Sequence, residues 1–445
     1  MENNIWSSID KEKAFEFCAE YREFLSACKT ERETVDYIVS EAKKNGFLPV
    51  NEDSNKGYEI NRNKSVIVAV KGKKDPREGL RIIASHLDSP RLDLKPNPVV
   101  EDEKLGLLKT HYYGGIKKYQ WVSMPLAIHG VVVKEDGEKV AIVLGEDPED
   151  PVFTICDLLP HLAKKAQGKK KLFEGIEGEE LNILFGSIPE DGDEDKKEKV
   201  KKYLLKLLEE KYGIEEEDLV SAEIEIVPSF KAREVGLDRS LIGGYGHDDK
   251  VCAFTSLKAL LETKEPKYTS VFIGADKEEI GSEGATGMKS RAFENFLVKF
   301  LDISEPKDLV SVFENSKVLS ADVGAALNPT FKKVHEKHNA ARIGGGIAIE
   351  RYTGAGGKYS SSEATAEFTA EIRRIFNEND VRWQAAEMGK VDEGGGGTVA
   401  KFLAAYNMDV IDCGTPVLAM HSPFEVASKA DIYETYRAYG AFYRE

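Results

Sequence analysis

Four apolar, strand-length runs in this chain each end in a residue that can hold a metal ion. Residues 80–84 run into Ser85-His86-Leu87-Asp88, and 269–275 into Asp276-Lys277-Glu278-Glu279. Residues 318–321 run into Asp322, and 417–420 into His421. A fifth segment, Gly246-His247-Asp248-Asp249, opens an apolar stretch instead of closing one. Short Val- and Ile-rich runs bounded by turn residues read as strands. In open α/β sheets, ligands gather beyond the carboxyl ends of the strands. Histidines and carboxylates at equivalent strand ends therefore predict one site assembled from remote parts of the chain. Two His with three carboxylates are enough for two zinc ions that share a ligand, which is hydrolase chemistry.

The rest of the chain supplies the scaffold for such a site. Residues 10–29 carry Phe15, Cys18, Tyr21, Phe24 and Leu25 at helical spacing. Thr30 opens a second helix, with Glu33 completing a capping box and Gly46 ending it. From about residue 97 the character changes to short strands and hairpins (131–133, 140–144). The charge-dense run 191–202 reads as a solvated loop feeding a surface helix at 203–212. None of the metal-type clusters falls in this section. It reads as an inserted β-rich domain, 97–236, between two parts of a catalytic domain, 1–96 and 237–445. Beyond it, strands at 270–275, 317–321, 346–350 and 409–412 alternate with helices at 251–261 and 361–376. A terminal helix is capped by Ser428 with Asp431 three residues on. The alternation predicts an α/β fold, a sheet with helices on both faces.

Composition removes several function classes. The chain has 445 residues, 41% hydrophobic and 31% charged, as expected of two or three globular domains. A net charge of −16 with no long basic patch argues against a nucleic-acid partner. No run reaches the ~18 apolar residues of a membrane span. The first residues lack a basic start and an apolar signal core. The five cysteines, Cys18, Cys28, Cys156, Cys252 and Cys413, contain no Cys-x-x-Cys and read as reduced core thiols. Together these predict a cytoplasmic protein.

The candidate residues have distinct chemistries. His86 and Asp88 are two apart, so in extended chain they face the same way and Asp88 can accept a hydrogen bond from the far ring nitrogen of His86. Glu278 and Glu279 would face opposite ways on a strand. A bend would let one bind metal while the other holds a water, and their proximity suits a general base. In the fifth segment His247 and Asp248 compete as ligand, with either Asp able to bridge or orient. Asp322 precedes the small-residue turn Val323-Gly324-Ala325, and His421 precedes Ser422-Pro423.

Taken together, the segments Ala84-Ser85-His86-Leu87-Asp88-Ser89-Pro90-Arg91, 246–250, 276–282, Ser320-Ala321-Asp322 and Leu418-Ala419-Met420-His421-Ser422 resemble a known family. So does Asp412-Cys413-Gly414-Thr415-Pro416. The family is that of the dinuclear zinc aminopeptidases grouped with aspartyl aminopeptidase and yeast vacuolar aminopeptidase I, and the likeness is to its bacterial branch. The resemblance implies a zinc-exopeptidase-like domain with a mixed, mostly parallel sheet, interrupted by a dimerisation domain. It implies removal of N-terminal residues from peptides with a free N-terminus, by two zinc ions per subunit, with cobalt or manganese as substitutes. His86, Asp248 and Asp322 would hold one zinc; Asp248, Glu279 and His421 the other. Asp248 is chosen over Asp249 because Phe254 and Leu257 then keep the family's spacing. Glu278 would be the general base and Asp88 the partner of His86. His161, in Leu159-Pro160-His161-Leu162-Ala163, resembles a residue that reaches a neighbouring subunit's site within a tetrahedral dodecamer. Two departures bear on specificity. Ala325 stands where aspartyl-specific relatives carry His, and Ala348 where they carry a substrate-pairing Lys. Burying a substrate carboxylate without a cation is costly, so neutral or broad N-terminal residues are expected. A carboxypeptidase or N-deacylase on the same scaffold, or a non-catalytic assembly protein, are the alternatives.

Overall fold

A nine-stranded sheet carries the strand ends at or just past which His86, Glu278, Glu279 and Asp322 lie. A computed structural model describes residues 4–191, 197–303, 305–354 and 356–445; part of the charged run, 192–196, lies outside them. The chain divides into two units. One comprises Met1–Ser89, Ala232–Met420 and Phe424–Glu445; the other comprises Pro90–Lys231 with His421–Pro423.

In the first unit, the large sheet runs in the order Leu48–Pro49, Lys56–Asn61, Ser65–Val70, Ser270–Ala275, Arg81–His86, Lys317–Ser320, Asp409–Gly414, Ile347–Glu350, Trp383–Ala385. Five of its eight neighbouring pairs are parallel. The central strands are buried along their whole length, as expected of a sheet covered on both faces. Alternation along them separates two cores. Val66, Val68, Ile83, Phe272, Leu319 and Ile411 pack with the helices Lys11–Ala27, Glu31–Lys44, His247–Leu261, Ala366–Glu378 and Lys429–Arg444. Ile67, Ile82, Val271, Ile273, Val318 and Val410 pack against Ala292–Phe300, Pro306–Glu314 and Ala400–Ala404. A smaller sheet joins Arg233–Val235, Leu241–Gly244, Glu425–Ser428, Pro416–Leu418 and Gly324–Ala325.

Local rules explain most boundaries. Thr30 and Glu33 form the reciprocal capping box. The helix expected at 361–376 starts only at Ala366, because Thr365 is extended (ψ 156°) and its hydroxyl caps the amide of Phe368. The helix expected at 203–212 begins earlier, at Lys199, since Val200 and Leu204 extend its buried face by one turn. Of the run 417–420 only the first two residues are in a strand, Pro416–Leu418, and it belongs to the smaller sheet, so His421 does not close a strand of the large one. Cys156 corrects the expectation of five core thiols. Phe153 and Ile155 point inward, and alternation turns Cys156 out to solvent.

The second unit is a six-stranded antiparallel sheet ordered Lys139–Leu144, Leu126–Val133, Ala222–Pro228, Arg91–Asp102, Leu105–Tyr113, Ile183–Gly186. Its register slips between Leu94 and Val99, where Pro96 and Pro98 cannot donate to a ladder.

Asp431 does not complete a capping box. Its carboxylate accepts from the amides of Gly344 (2.7 Å) and Gly346 (2.8 Å) in full burial, tying the terminal helix to the loop before Ile347–Glu350. Burial outweighs these bonds and pushes its pKa up to about 7. Between roughly pH 4 and 7 the folded chain therefore keeps a proton that the unfolded chain has released. This group's contribution to stability falls as pH rises through that window, by at most about 1.4 kcal/mol per pH unit. Comparing urea unfolding of the wild type with Asp431→Asn should show the wild type losing ground steadily from pH 4 to 7. A pH-independent difference would exclude this.

Candidate metal centre

Strand register brings the first candidate ligands together. Ala275 pairs with His86, and Ser320 with Ala84, so Asp322, two residues past Ser320, comes level with His86. The His86 ring is buried, with Nε2 3.1 Å from Asp248 Oδ1 and 3.9 Å from Asp322 Oδ1. Ligand atoms of His86, Asp248 and Asp322 all lie within 4.8 Å of one another. Imidazole nitrogen with carboxylate oxygens is a donor set that suits zinc. Burial alone would lower the His86 pKa, but the bonds to Asp248 and Asp88 outweigh it and hold the pKa well above the usual value. Burial, reinforced by Asp248 and Glu278, raises the Asp322 carboxyl despite the opposing pull of His86. The cluster is an acidic pocket that a cation would relieve.

Asp88 does more than the sequence suggested. His86 Nδ1 lies 3.0 Å from the Asp88 carbonyl and 3.4 Å from its carboxylate. The Asp88 carboxylate itself accepts the amides of Glu278 (3.1 Å) and Glu279 (3.2 Å), one on each oxygen. The chain leaves Ser270–Ala275, reverses at Lys277 (φ +66°) and forms the short 3-10 turn Glu278–Ile280, closed by Gly281 at φ +92°. Two adjacent glutamates thus sit on a turn rather than a strand, and Asp88 pins that turn. Glu279 brings a carboxylate oxygen within 4.8 Å of one from Asp248. Asp276 is buried, and its carboxylate takes the hydroxyl of Thr286.

Asp248 lies at the head of His247–Leu261, where it and Asp249 have non-helical dihedrals and the peptide between them is cis. Its amide donates to Glu425 (3.0 Å), and its carbonyl accepts from Ser89 Oγ (2.8 Å). Ser89 Oγ in turn accepts from the buried Lys250 Nζ (2.6 Å). Gly246 permits this: it holds φ +79°, and a Cβ there would stand 2.8 Å from Lys250 Nζ and 2.9 Å from Ser89 Oγ. Asp249 instead accepts the backbone amide of His86 (3.2 Å). His247 is committed elsewhere. Its Nε2 donates to the Ile242 carbonyl (3.1 Å), its Nδ1 accepts from the Tyr21 hydroxyl (2.8 Å), and burial pushes its pKa down to about 3. A neutral ring with both nitrogens engaged makes a poor ligand.

His421 takes φ +63°, and its Nδ1 donates to the carbonyl of Gly115 at 2.8 Å. This selects the tautomer in which Nε2 carries the lone pair, as ligating histidines require. His161 is exposed on the short helix Pro160–Ala166. The Ser89–Lys250 support was missed by sequence reasoning. A buried lysine beside an acidic pair was the one signal that could have found it.

A sheet that presents buried His and Asp side chains at its strand ends, with a pinned glutamate turn beside them, defines a metallohydrolase of the α/β class. The chain belongs to the aminopeptidase I zinc metalloprotease (M18) family, which matches residues 24–443. It is 52% identical to the probable M18 family aminopeptidase 1 of Thermotoga maritima, over 98% of this chain and 97% of the relative. The corresponding protein of Clostridium acetobutylicum is 50% identical over 99% and 97%. The crystal structure of the M18 aminopeptidase from Thermotoga maritima superposes with a TM-score of 0.96, at 50% identity, covering 100% of this chain and 99% of that one. Yeast aminopeptidase 1 shares the fold, with a TM-score of 0.77 at 22% identity over 97% and 96%. This chain is therefore a zinc aminopeptidase, a peptide hydrolase. The carboxypeptidase, deacylase and non-catalytic readings find no support among these relatives. Among the described residues, no helix is long and apolar enough to cross a membrane.

Proposed function

We propose that the chain removes N-terminal residues from peptides using two zinc ions, held in two sets that share Asp248. His86, Asp248 and Asp322 form one set; Asp248, Glu279 and His421 form the other. Cobalt or manganese would substitute. The convergence of His86 and Asp322, from neighbouring strand ends, with Asp248, from the head of a helix, carries this reading. The tautomer of His421, set by Gly115, supports its place in the second set.

When bound, zinc polarises the scissile carbonyl and acidifies the attacking water. Glu278 takes the proton from that water and returns it to the departing amine. Asp88 holds the Glu278–Glu279 turn in place, so base and ligand keep a fixed relation. Lys250 and Ser89 hold the Asp248 backbone. An acidic first residue is disfavoured, since Ala348 offers no cation and the buried carboxylates Glu350 and Asp412 lie on the same strand pair.

The inserted unit is read as a dimerisation domain within a tetrahedral dodecamer, with His161 of one subunit stabilising the oxyanion in another. The exposed apolar side chains Leu159, Leu162, Leu172 and Phe173 support a contact role for this unit. One yeast relative with the same fold, at 21% identity, is described as a dodecamer. The cytoplasmic location rests on the four buried thiols. Native mass spectrometry of zinc-loaded protein tests metal and assembly together. Twelve chains with two zinc ions per chain are expected, and chelation should abolish hydrolysis of leucine p-nitroanilide until zinc is restored. One ion per chain, or activity that survives complete metal removal, would sink the metal assignment.

A further inference from the structure

The strands Ile347–Glu350 and Asp409–Gly414 pair antiparallel, with Glu350 directly opposite Asp412. Like charges at facing positions repel, and both residues are buried, at 5% and 4% exposure. Thr398 donates its hydroxyl to Asp412 Oδ1 at 2.7 Å. Among the described residues, Asp412 Oδ2 and Glu350 Oε1 have no hydrogen-bond partner of good geometry, although the Ser320 hydroxyl lies near enough to Asp412 to temper the effect of burial. Buried carboxylate oxygens without partners are expensive. Burial, with Asp412 and Glu387 adding to it, pushes Glu350 up to about 8, and burial pushes Asp412 up to about 6.

Both carboxylates line a cavity of about 10 Å³, together with Gly324, Ala348 and Asp322. Asp322 belongs to the first ligand group, so the cavity adjoins the metal centre. Gly324 lets Glu350 approach: a Cβ there would stand 3.0 Å from Glu350 Oε1. The small side chain of Ala348 keeps the wall low. The space matches one water or one ammonium head. It is too small for a planar guanidinium.

We propose that Glu350 and Asp412 form a subsite for a primary ammonium carried by the substrate's first residue, assigned here to the lysine side chain. The inference rests on the aminopeptidase reading and narrows its specificity. Three ammonium N–H groups would meet the unpartnered oxygens, while the side-chain stem lies past Ala348 and Gly324 toward Asp322. The order of preference becomes lysine first, arginine no better than uncharged residues of similar length because its guanidinium does not fit, and acidic residues last. Within the neutral or broad preference expected from Ala348, this adds a bias toward lysine. A substrate α-amine has the same chemistry and is the other source.

The test compares p-nitroanilides of lysine, arginine, norleucine and leucine with the zinc-loaded wild type. Norleucine is close in length to lysine but lacks the charge. We expect kcat/KM for lysine to exceed that for norleucine by about ten- to a hundredfold. In Glu350→Gln and Asp412→Asn that ratio should collapse toward one. Free L-lysine should raise the wild-type Tm more than free L-norleucine does. This readout needs no turnover and no variant. Equal efficiency for lysine and norleucine, or equal Tm shifts, would overturn the proposal. So would a variant that weakens all four substrates alike, which would assign the subsite to the α-amine. Failure of the zinc-loaded wild type to cleave any of the four would count against the aminopeptidase reading itself, with the lysine Tm shift still judging the subsite.

Discussion

Glu278→Gln is expected to lower kcat by a factor of about 10² to 10⁴, the range ascribed to a positioned general base, with two zinc ions still bound. Glutamine keeps the size of the side chain and removes only its ability to carry the proton. Glu278 lies outside both proposed ligand sets, and Asp88 holds it through the backbone amide, which the substitution leaves intact. Metal content and fold should therefore survive, and KM should move little. The same argument separates Glu278 from Glu279. Glu279→Gln removes a carboxylate from the second set and should cost metal as well as rate. Near-normal turnover by a Glu278→Gln protein carrying both ions would remove the residue from the mechanism.

Asp248→Ala should abolish activity for a different reason. Asp248 is the member common to the two proposed sets, so its loss should empty both. The expected metal content is below one ion per chain, against about one for Asp322→Ala or Glu279→Ala. Asp248 Oδ1 also contacts the His86 ring at 3.1 Å, so removing it loosens a proposed ligand that remains. Elemental analysis after dialysis reads the outcome directly. If Asp248→Ala kept as much zinc as Asp322→Ala, the shared-ligand arrangement would fail even with activity absent.

Much of this arrangement was legible in the chain because it depends on local pattern. Continuous apolar runs bounded by turn residues place His86, Glu278 and Asp322 at or just past strand ends, and the Thr30–Glu33 box is a local signature. What escaped depends on register and on remote partners. Nothing local to Glu350 reveals that Asp412 faces it, since pairing between strands 62 residues apart is set by the whole sheet. The commitment of His247 to Tyr21, 226 residues away, is equally remote. Asp88 was read as a partner of one ring because its spacing from His86 is visible. Its hold on the Glu278–Glu279 turn, 190 residues on, is not. That Pro416–Leu418 joins the smaller sheet is hidden for the same reason: an apolar run announces a strand, not its neighbours.

The order of strands in the large sheet bears on when the protein can act. Lys317–Ser320, which delivers Asp322, lies between Arg81–His86 and Asp409–Gly414. During synthesis it therefore lacks one of its two flanking strands until most of the chain has been made. A growing polypeptide carries His86 and Asp248 well before the strand that delivers Asp322 has both of its neighbours.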